Sequence, residues 1–360
     1  MTRPDTMSGM VLTGHGGLDK LLWRTDLPVP VAGPGEVLIR VGAAAVNNTD
    51  VNTRTGWYSP KVRGDTSSGA AEGYAAGEGA EGSWSGEALA FPRIQGADCC
   101  GEIVAVGAGV DPSRIGERVL VRPMRPIDDG ANGMTVRTFG SERDGGFAEF
   151  TTAPSDDTIA VNSDLTDLEL ATFPCAFSTA EGMIQRCGLG AEKVLITGAS
   201  GGVGSAAIQL ARRRGAHVTA MTSPSKAAEL RSLGAADILG RDEALPESAF
   251  DVVLDLVGGP RWPELIGTLR NGGRYVTSGA IAGPIVELDL RTLYLRDLSL
   301  LGSTYQPAKV FTDLVSYIEA GEIRPVVSAT YPLRELRAAQ EAFLAKSFVG
   351  KIGIEVAQQV

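Results

Sequence analysis

The segment Thr197-Gly198-Ala199-Ser200-Gly201-Gly202-Val203-Gly204-Ser205 carries the most legible chemistry in this chain. It follows Lys193-Val194-Leu195-Ile196, which reads as a buried strand, and precedes Ala206-Ala207-Ile208-Gln209-Leu210-Ala211, which reads as a helix. A glycine turn between strand and helix is the setting in which a dinucleotide fingerprint has physical meaning. Gly201, Gly202 and Gly204 let the chain turn tightly, bring the backbone close to a pyrophosphate and pack the helix on the strand. The phosphate charge then meets the unpaired N–H groups and the dipole of the helix N-terminus. Ser200, Gly201, Gly202 and Val203 are the first expected cofactor contacts.

Such a turn works only when a sheet holds it. From about residue 165 strand and helix patterns alternate, as a doubly wound parallel sheet requires. Residues 217–222 read as the second strand, 236–239 as the third, 250–259 as the fourth, 274–279 as the fifth and 298–303 as the sixth. A helix over 225–233 ends at Gly234, a suitable C-terminal cap. Before residue 165 the pattern is mostly β and barrel-like. Its clearest strand runs over residues 35–41, entered from the Pro34-Gly35 turn. Residues 58–90 differ: Gly, Ala, Ser and Glu dominate, and such a stretch cannot bury enough apolar surface to hold a fixed fold alone. Long loops of this kind are functional lids or disordered segments, and both readings stay open.

The 360 residues suggest two domains. A net charge of −10 argues against nucleic acid or anionic membrane as the main partner, because both need concentrated basic surface. No apolar run approaches the ~20 residues of a membrane span. The opening Met1-Thr2-Arg3-Pro4-Asp5 has no apolar core after its arginine, so no secretory signal is expected. Four cysteines without a disulfide-like pattern fit a reducing cytoplasm and read as small buried hydrophobes.

The motifs Gly35-Glu36-Val37-Leu38-Ile39, Gly101-Glu102-Ile103-Val104-Ala105-Val106-Gly107, Gly116-Glu117-Arg118-Val119, Asp144-Gly145-Gly146-Phe147-Ala148-Glu149 and Gly350-Lys351-Ile352 accompany the glycine turn. With them the chain resembles the medium-chain dehydrogenase/reductase family, in its zinc-independent, quinone-oxidoreductase-like branch. The resemblance implies an α/β protein: a GroES-like β-barrel over residues 1–164, a Rossmann domain over 165–307 and a return to the barrel over 308–360. The active site would lie in the cleft between them. It also locates the zinc ligands of the family's alcohol dehydrogenases. Here Asn47 and Ala97, followed by Asp98, stand at the first two positions and only Cys175 remains. One donor cannot make a catalytic zinc site, so no metal is expected.

An NAD-selective site ends its second strand in Asp or Glu. Here that position is Thr222, followed by Ser223 and Lys226, and Arg241 falls where related reductases place another phosphate contact. The missing acid and the two cations favour NADPH; otherwise Lys226 and Arg241 are solvated surface charges. Thr179, Ser278, Gly279 and Ala280 complete the expected cofactor set.

Without zinc, reduction of a conjugated C=C is the less demanding chemistry: hydride goes to the β-carbon and hydrogen-bond donors meet the enolate charge. Some related reductases use a Tyr five residues after the barrel Asn, but that position is Asn52. Asn47 and Asn52 are then candidates for orienting substrate or cofactor, and Tyr58 for donating a proton, with Tyr305 as a second phenol. His15 and His217 lie far from the expected hydride site. The expected function is an NADPH-dependent reductase of a quinone or an α,β-unsaturated carbonyl, acting on a small molecule as a cytoplasmic homodimer joined along the sixth strands. A zinc-free dehydrogenase of a specialised metabolite and a nucleotide-binding redox sensor are the alternatives.

Overall fold

The computed structural model describes residues 4–74, 83–128 and 133–356. The first half is built from β1 (Thr6–Leu12), β2 (Leu21–Pro28), β3 (Glu36–Ala45), helix α1 (Asn48–Thr55), β4 (Arg93–Ile94), β5 (Cys100–Val106), β6 (Arg118–Val121), β7 (Met124–Asp128), β8 (Met134–Thr138), β9 (Phe150–Pro154) and β10 (Thr158–Ala160). Strand β3 is central because its side chains are apolar and buried almost throughout. It pairs antiparallel with both β5 and β9. The barrel is closed from the far end of the chain, by β17 (Val327–Pro332) and β18 (Lys351–Glu355), with Gly353 of β18 opposite Ala45 of β3.

The second half begins with α2 (Asp167–Leu170) and α3 (Pro174–Cys187). Its sheet contains β11 (Lys193–Ile196), β12 (His217–Thr222), β13 (Asp237–Gly240), β14 (Phe250–Asp255), β15 (Leu269–Thr277) and β16 (Ser299–Gly302). All six are parallel, in the order β13-β12-β11-β14-β15-β16. This is the order of a Rossmann sheet, whose crevice opens beside the central β11 at the carboxyl ends of the strands. Helix α4 (Gly202–Arg213) leaves β11 through the glycine turn and buries Ala206, Ala207, Ile208, Leu210 and Ala211. Arg212 and Arg213 in its last turn complement the helix dipole. Helices α5 (Ala227–Leu233), α6 (Trp262–Gly267) and α7 (Leu290–Leu295) follow.

The segment from residue 308 divides, where the sequence suggested a return to the barrel throughout. Helix α8 (Ala308–Glu319) buries Phe311, Leu314, Val315 and Ile318 in the same core as Val194 and Ile196 of the Rossmann sheet. Only later do α9 (Leu336–Leu344), β17 and β18 join the barrel core. An apolar helix face reads alike whichever core it covers, so periodicity could not separate the two.

The glycine-rich insertion is held from outside itself. The fully buried Arg54 guanidinium donates to Gly16 O at 2.7 Å, Gln340 Oε1 at 2.9 Å and Ala70 O at 3.1 Å. Tyr74 N donates to Thr55 O at 2.9 Å, and Trp84 Nε1 to Thr49 Oγ1 at 2.6 Å. The expectation that residues 58–90 lack a fixed fold alone considered only their composition; over 58–74 and 83–90 they are held by α1 and by contacts such as Ser85 N to Glu142 at 3.0 Å. For residues 75–82 that expectation lies outside the described residues.

Candidate active site

A cavity of about 1040 Å³ lies between the two halves, lined from both. Its floor on the Rossmann side is the glycine turn. Gly198 sits at φ +57, where a side chain is strained, and a Cβ on Gly204 would stand 2.3 Å from Gly198 O. Both glycines are therefore needed to seat α4 on β11, and the helix N-terminus then opens into the cavity. Gly350 N donates to Ser200 O at 2.9 Å, so the turn is pinned by the residue before β18. This cradle of close backbone and unpaired N–H groups fits a dinucleotide pyrophosphate.

Among the expected cofactor residues, Thr179, Ser200, Gly201, Gly202, Val203, Lys226, Arg241, Ser278, Gly279 and Ala280 line the cavity. Thr222 and Ser223 do not. Thr222 closes β12 with its side chain fully buried, and the Ser223 hydroxyl turns to that of Ser225 at 3.2 Å. Their contribution is the absence of a carboxylate, not a contact. The sequence reading missed Lys346, whose ammonium joins Lys226 and Arg241 on the cavity wall. Lys346 Nζ lies 3.6 Å above the Phe343 ring and donates to Asn48 Oδ1 at 3.0 Å. Burial and the neighbouring Lys226 push it down to about 7. Lys226 is lowered too, by burial and then by Arg241. Its Nζ donates to Lys346 O and Phe348 O at 2.7 and 2.8 Å, so it also holds the loop before β18. Lys226, Arg241 and Lys346 thus bring three basic side chains to one wall of the cavity.

On the barrel side the buried carboxylate of Asp98 gathers four segments. Its Oδ1 accepts from Cys175 N at 2.7 Å, and its Oδ2 from Asn47 Nδ2 at 2.7 Å and Lys351 Nζ at 2.8 Å. Lys351 also donates to Val46 O at 2.9 Å and to Asn47 Oδ1. Asn47 thus has both ends of its amide engaged with Asp98 and Lys351, and it lines the cavity. Asp50 beneath it accepts from Asn47 N at 2.8 Å and Ala97 N at 3.2 Å, and burial pushes its carboxyl up to about 7. Among the described residues no group of three or more His, Cys, Asp or Glu converges as metal ligands do.

Asn52 and Tyr58 also line the cavity. Asn52 Oδ1 is buried and has no partner among the described residues. Burial raises the Tyr58 phenol well above its ordinary value, while hydrogen bonds from Thr49 and Asn52 pull the other way. The phenol is therefore neutral and carries a proton at any physiological pH. Its ring packs against Trp84, centroid to centroid 4.8 Å, and against Trp57 at 5.6 Å. Burial likewise raises the Cys175 thiol at the cavity wall, which keeps it a poor nucleophile. Tyr305 is not part of this group: its hydroxyl donates to Met134 O at 2.8 Å on the β7–β8 hairpin. His15 bonds Thr53 O at 2.8 Å and His217 bonds Asp237 at 2.6 Å, both outside the lining.

The alcohol dehydrogenase GroES-like domain matches residues 33–163 and the zinc-binding dehydrogenase domain residues 202–320. An acryloyl-coenzyme A reductase of Metallosphaera sedula is 29% identical, over 96% of this chain and 99% of its own length. A quinone oxidoreductase of Mus musculus is 28% identical, over 94% and 93%. Among solved structures, a Sinorhizobium meliloti protein provisionally described as an alcohol dehydrogenase is 47% identical, with a TM-score of 0.85 over 98% of this chain and 97% of that one. A thermostable alcohol dehydrogenase from Pyrobaculum aerophilum, solved with cobalt and zinc bound, is 31% identical, with a TM-score of 0.80 over 98% and 100%.

The Asp98–Lys351 pair is 0% and 3% exposed. Lys351→Met leaves a buried carboxylate uncompensated and is expected to cost about 3–5 kcal/mol in urea-induced unfolding. Asp98→Asn combined with Lys351→Met is expected to recover most of that loss, because no charge is then stranded. Equal destabilisation by the single and double variants would show that the two groups are not coupled.

Proposed function

The chain belongs to the medium-chain dehydrogenase/reductase family and is an oxidoreductase of it, and on that premise we propose an NADPH-dependent reductase of quinones or α,β-unsaturated carbonyl compounds that works without a metal. The observation that carries this reading is a division of the cavity. Lys226, Arg241 and Lys346 line one part, with Asp242 the acid beside them and no carboxylate at the end of β12, and a neutral phenol beside an amide oxygen without a partner among the described residues lines another. The first suits a 2′-phosphate, and the second suits a carbonyl compound that must gain a proton.

Bound along the glycine turn, the reduced nicotinamide nucleotide supplies the hydride. Ser200 to Val203 and the N-terminus of α4 would hold its pyrophosphate, and Arg241, Lys346 and Lys226 its 2′-phosphate. Tyr58 then has two tasks. Its hydroxyl donates a hydrogen bond to the substrate oxygen where charge develops, and it holds a proton available for the product. Thr49 and Asn52 orient that hydroxyl. The electrophile that a zinc ion would provide is replaced by this donor, while Lys351 donates internally to the oxygens of Asn47 and Asp98.

The first test is turnover of NADPH with a panel of quinones and enones before and after chelator treatment; activity lost to the chelator and restored by zinc defeats the metal-free assignment. Tyr58→Phe is expected to lower kcat for enones by roughly 10²–10⁴-fold, the usual worth of a positioned proton donor, with NADPH affinity unchanged. A variant as fast as the parent assigns the proton to solvent.

For nucleotide choice the cleaner probes are Arg241 and Lys346, because removing Lys226 also frees the 346–348 loop. A charge-assisted hydrogen bond is worth about 1.5–3 kcal/mol. Arg241→Ala and Lys346→Ala are each expected to raise the Michaelis constant for NADPH roughly tenfold or more, at about 1.4 kcal/mol per decade, and to leave that for NADH nearly unchanged. Equal effects on both nucleotides would remove the 2′-phosphate from this corner.

The proposed partner is a second copy of the chain. Strand β16 ends the Rossmann sheet, and beside it Ile285, Leu290, Tyr294 and Leu295 are 55–68% exposed. An open strand edge with an apolar margin is a pairing surface. Sedimentation at micromolar concentration is expected to give a dimer, and Leu290→Glu with Leu295→Glu a folded monomer; a monomeric parent refutes this.

A further inference from the structure

Residues 57–74 do not only wall the cavity; they cross from one half of the protein to the other. Trp57 Nε1 donates to Gly64 O at 3.0 Å, which closes residues 57–64 into a loop. Asp65 Oδ1 accepts from Ser67 N and Ser68 N at 2.8 Å each, which turns the chain back. Between these turns Thr66 is buried. Its N–H and its hydroxyl both donate to Ile281 O, at 3.0 and 3.3 Å. Ile281 follows Ser278, Gly279 and Ala280 in the loop after β15. A segment rooted on the barrel by Arg54 and Tyr74 is therefore clasped to the Rossmann half at Thr66.

We propose that this strap, given the reductase reading above, restricts the substrate to a small planar ring such as a benzoquinone or cyclic enone and excludes coenzyme A thioesters, with Thr66 as the clasp that sets this specificity. Shape is the first argument. Trp57, Tyr58 and Trp84 present a continuous aromatic wall, with Tyr58 tilted 44° to Trp84 and 74° to Trp57. Flat apolar faces of this kind bind flat rings well. Charge is the second. The strap contributes one charged group to the lining, the Asp65 carboxylate, held below its ordinary range by the N–H groups of Ser68 and Ser67. Its cations, Lys61 and Arg63, are exposed and outside the lining. The phosphates of coenzyme A would thus meet a carboxylate, while Lys226, Arg241 and Lys346 serve the nucleotide. In the reaction the quinone takes up a hydride from the reduced nucleotide and one proton, becoming the hydroquinone as the nucleotide is oxidised to NADP+.

Two measurements test this on the full-length protein. The first compares kcat/KM for duroquinone and crotonyl-coenzyme A with NADPH. The parent is expected to prefer the quinone by about a hundredfold or more, and Thr66→Pro, which removes both donors of the clasp, to narrow that ratio about tenfold. Thr66→Val keeps the N–H and is expected to fall between them. The second needs no turnover: duroquinone is expected to quench tryptophan fluorescence saturably with NADP+ present, and coenzyme A not to compete. Thr66→Pro is expected to weaken that quenching about tenfold while NADP+ binds as before. Competition by coenzyme A, equal use of both acceptors, or an unchanged ratio in folded Thr66→Pro overturns the strap's role. Should no acceptor be reduced at all, the reductase reading fails, and the quenching experiment still decides what the cavity admits.

Discussion

The contact on which the rest of the site depends is the buried pair of Asp98 and Lys351. Asp98 lies ahead of β5, Lys351 opens β18, Asn47 caps α1 and Cys175 is in the first turn of α3. Those segments are as much as 304 residues apart in sequence, and one carboxylate and one ammonium fix them together. A buried ion pair seldom adds much net stability, since desolvation offsets most of the attraction. Its value here is positional. Charges that must meet in the dry interior allow one register for β18 on β3 and one seat for α3 against the barrel. Gly350, next to Lys351, then bonds Ser200 in the glycine turn. The floor for a nucleotide and the wall for a substrate are thus set by one constraint, close enough to bring a hydride donor to an acceptor.

The same pair bears on the chemistry through what it consumes. Asn47 and Asp98 carry the oxygen atoms that a cation at this place would want, and an internal ammonium already takes them. A lysine ammonium is a compact point charge. It balances the carboxylate as a metal would but offers a substrate no open coordination position. In the proposed reading the polarising role falls to a hydrogen-bond donor, and Tyr58, neutral and half-buried in the cavity wall, is given that role.

How much of this was legible in the sequence follows from which forces are local. The Rossmann strands were readable, including their number, because each is a short apolar run bounded by turn residues, and the glycine turn announces its own geometry. Ten of the twelve expected cofactor residues reach the cavity for the same reason. Thr222 and Ser223 did not, because the direction of a side chain at a strand end is settled by the layer beneath it. Lys346 was invisible for another reason: it belongs to the loop before β18, and only the chain's return to β3 carries it to Lys226. Lys351 was quoted as part of a family motif, but its partner stands 253 residues away. Long-range electrostatics of this kind leaves no periodic trace.

The insertion shows the limit of composition as a guide. Residues 58–74 are as poor in apolar side chains as a disordered linker, yet they are held. Ordering a residue's backbone costs about 1–2 kcal/mol, which such a stretch cannot recover through a core of its own. It is recovered through polar anchors supplied by α1. Arg54, buried without a carboxylate in hydrogen-bond reach among the described residues, is the largest of them, and burial pulls its guanidinium down to about 10. A charge so placed is costly unless its donors are used, and here they are used on Gly16, Ala70 and Gln340. The strap and the barrel therefore depend on each other: without the strap Arg54 would lose an acceptor, and without Arg54 the strap would lose its root. That reciprocity lets a glycine-rich loop stand across a cleft as a fixed wall.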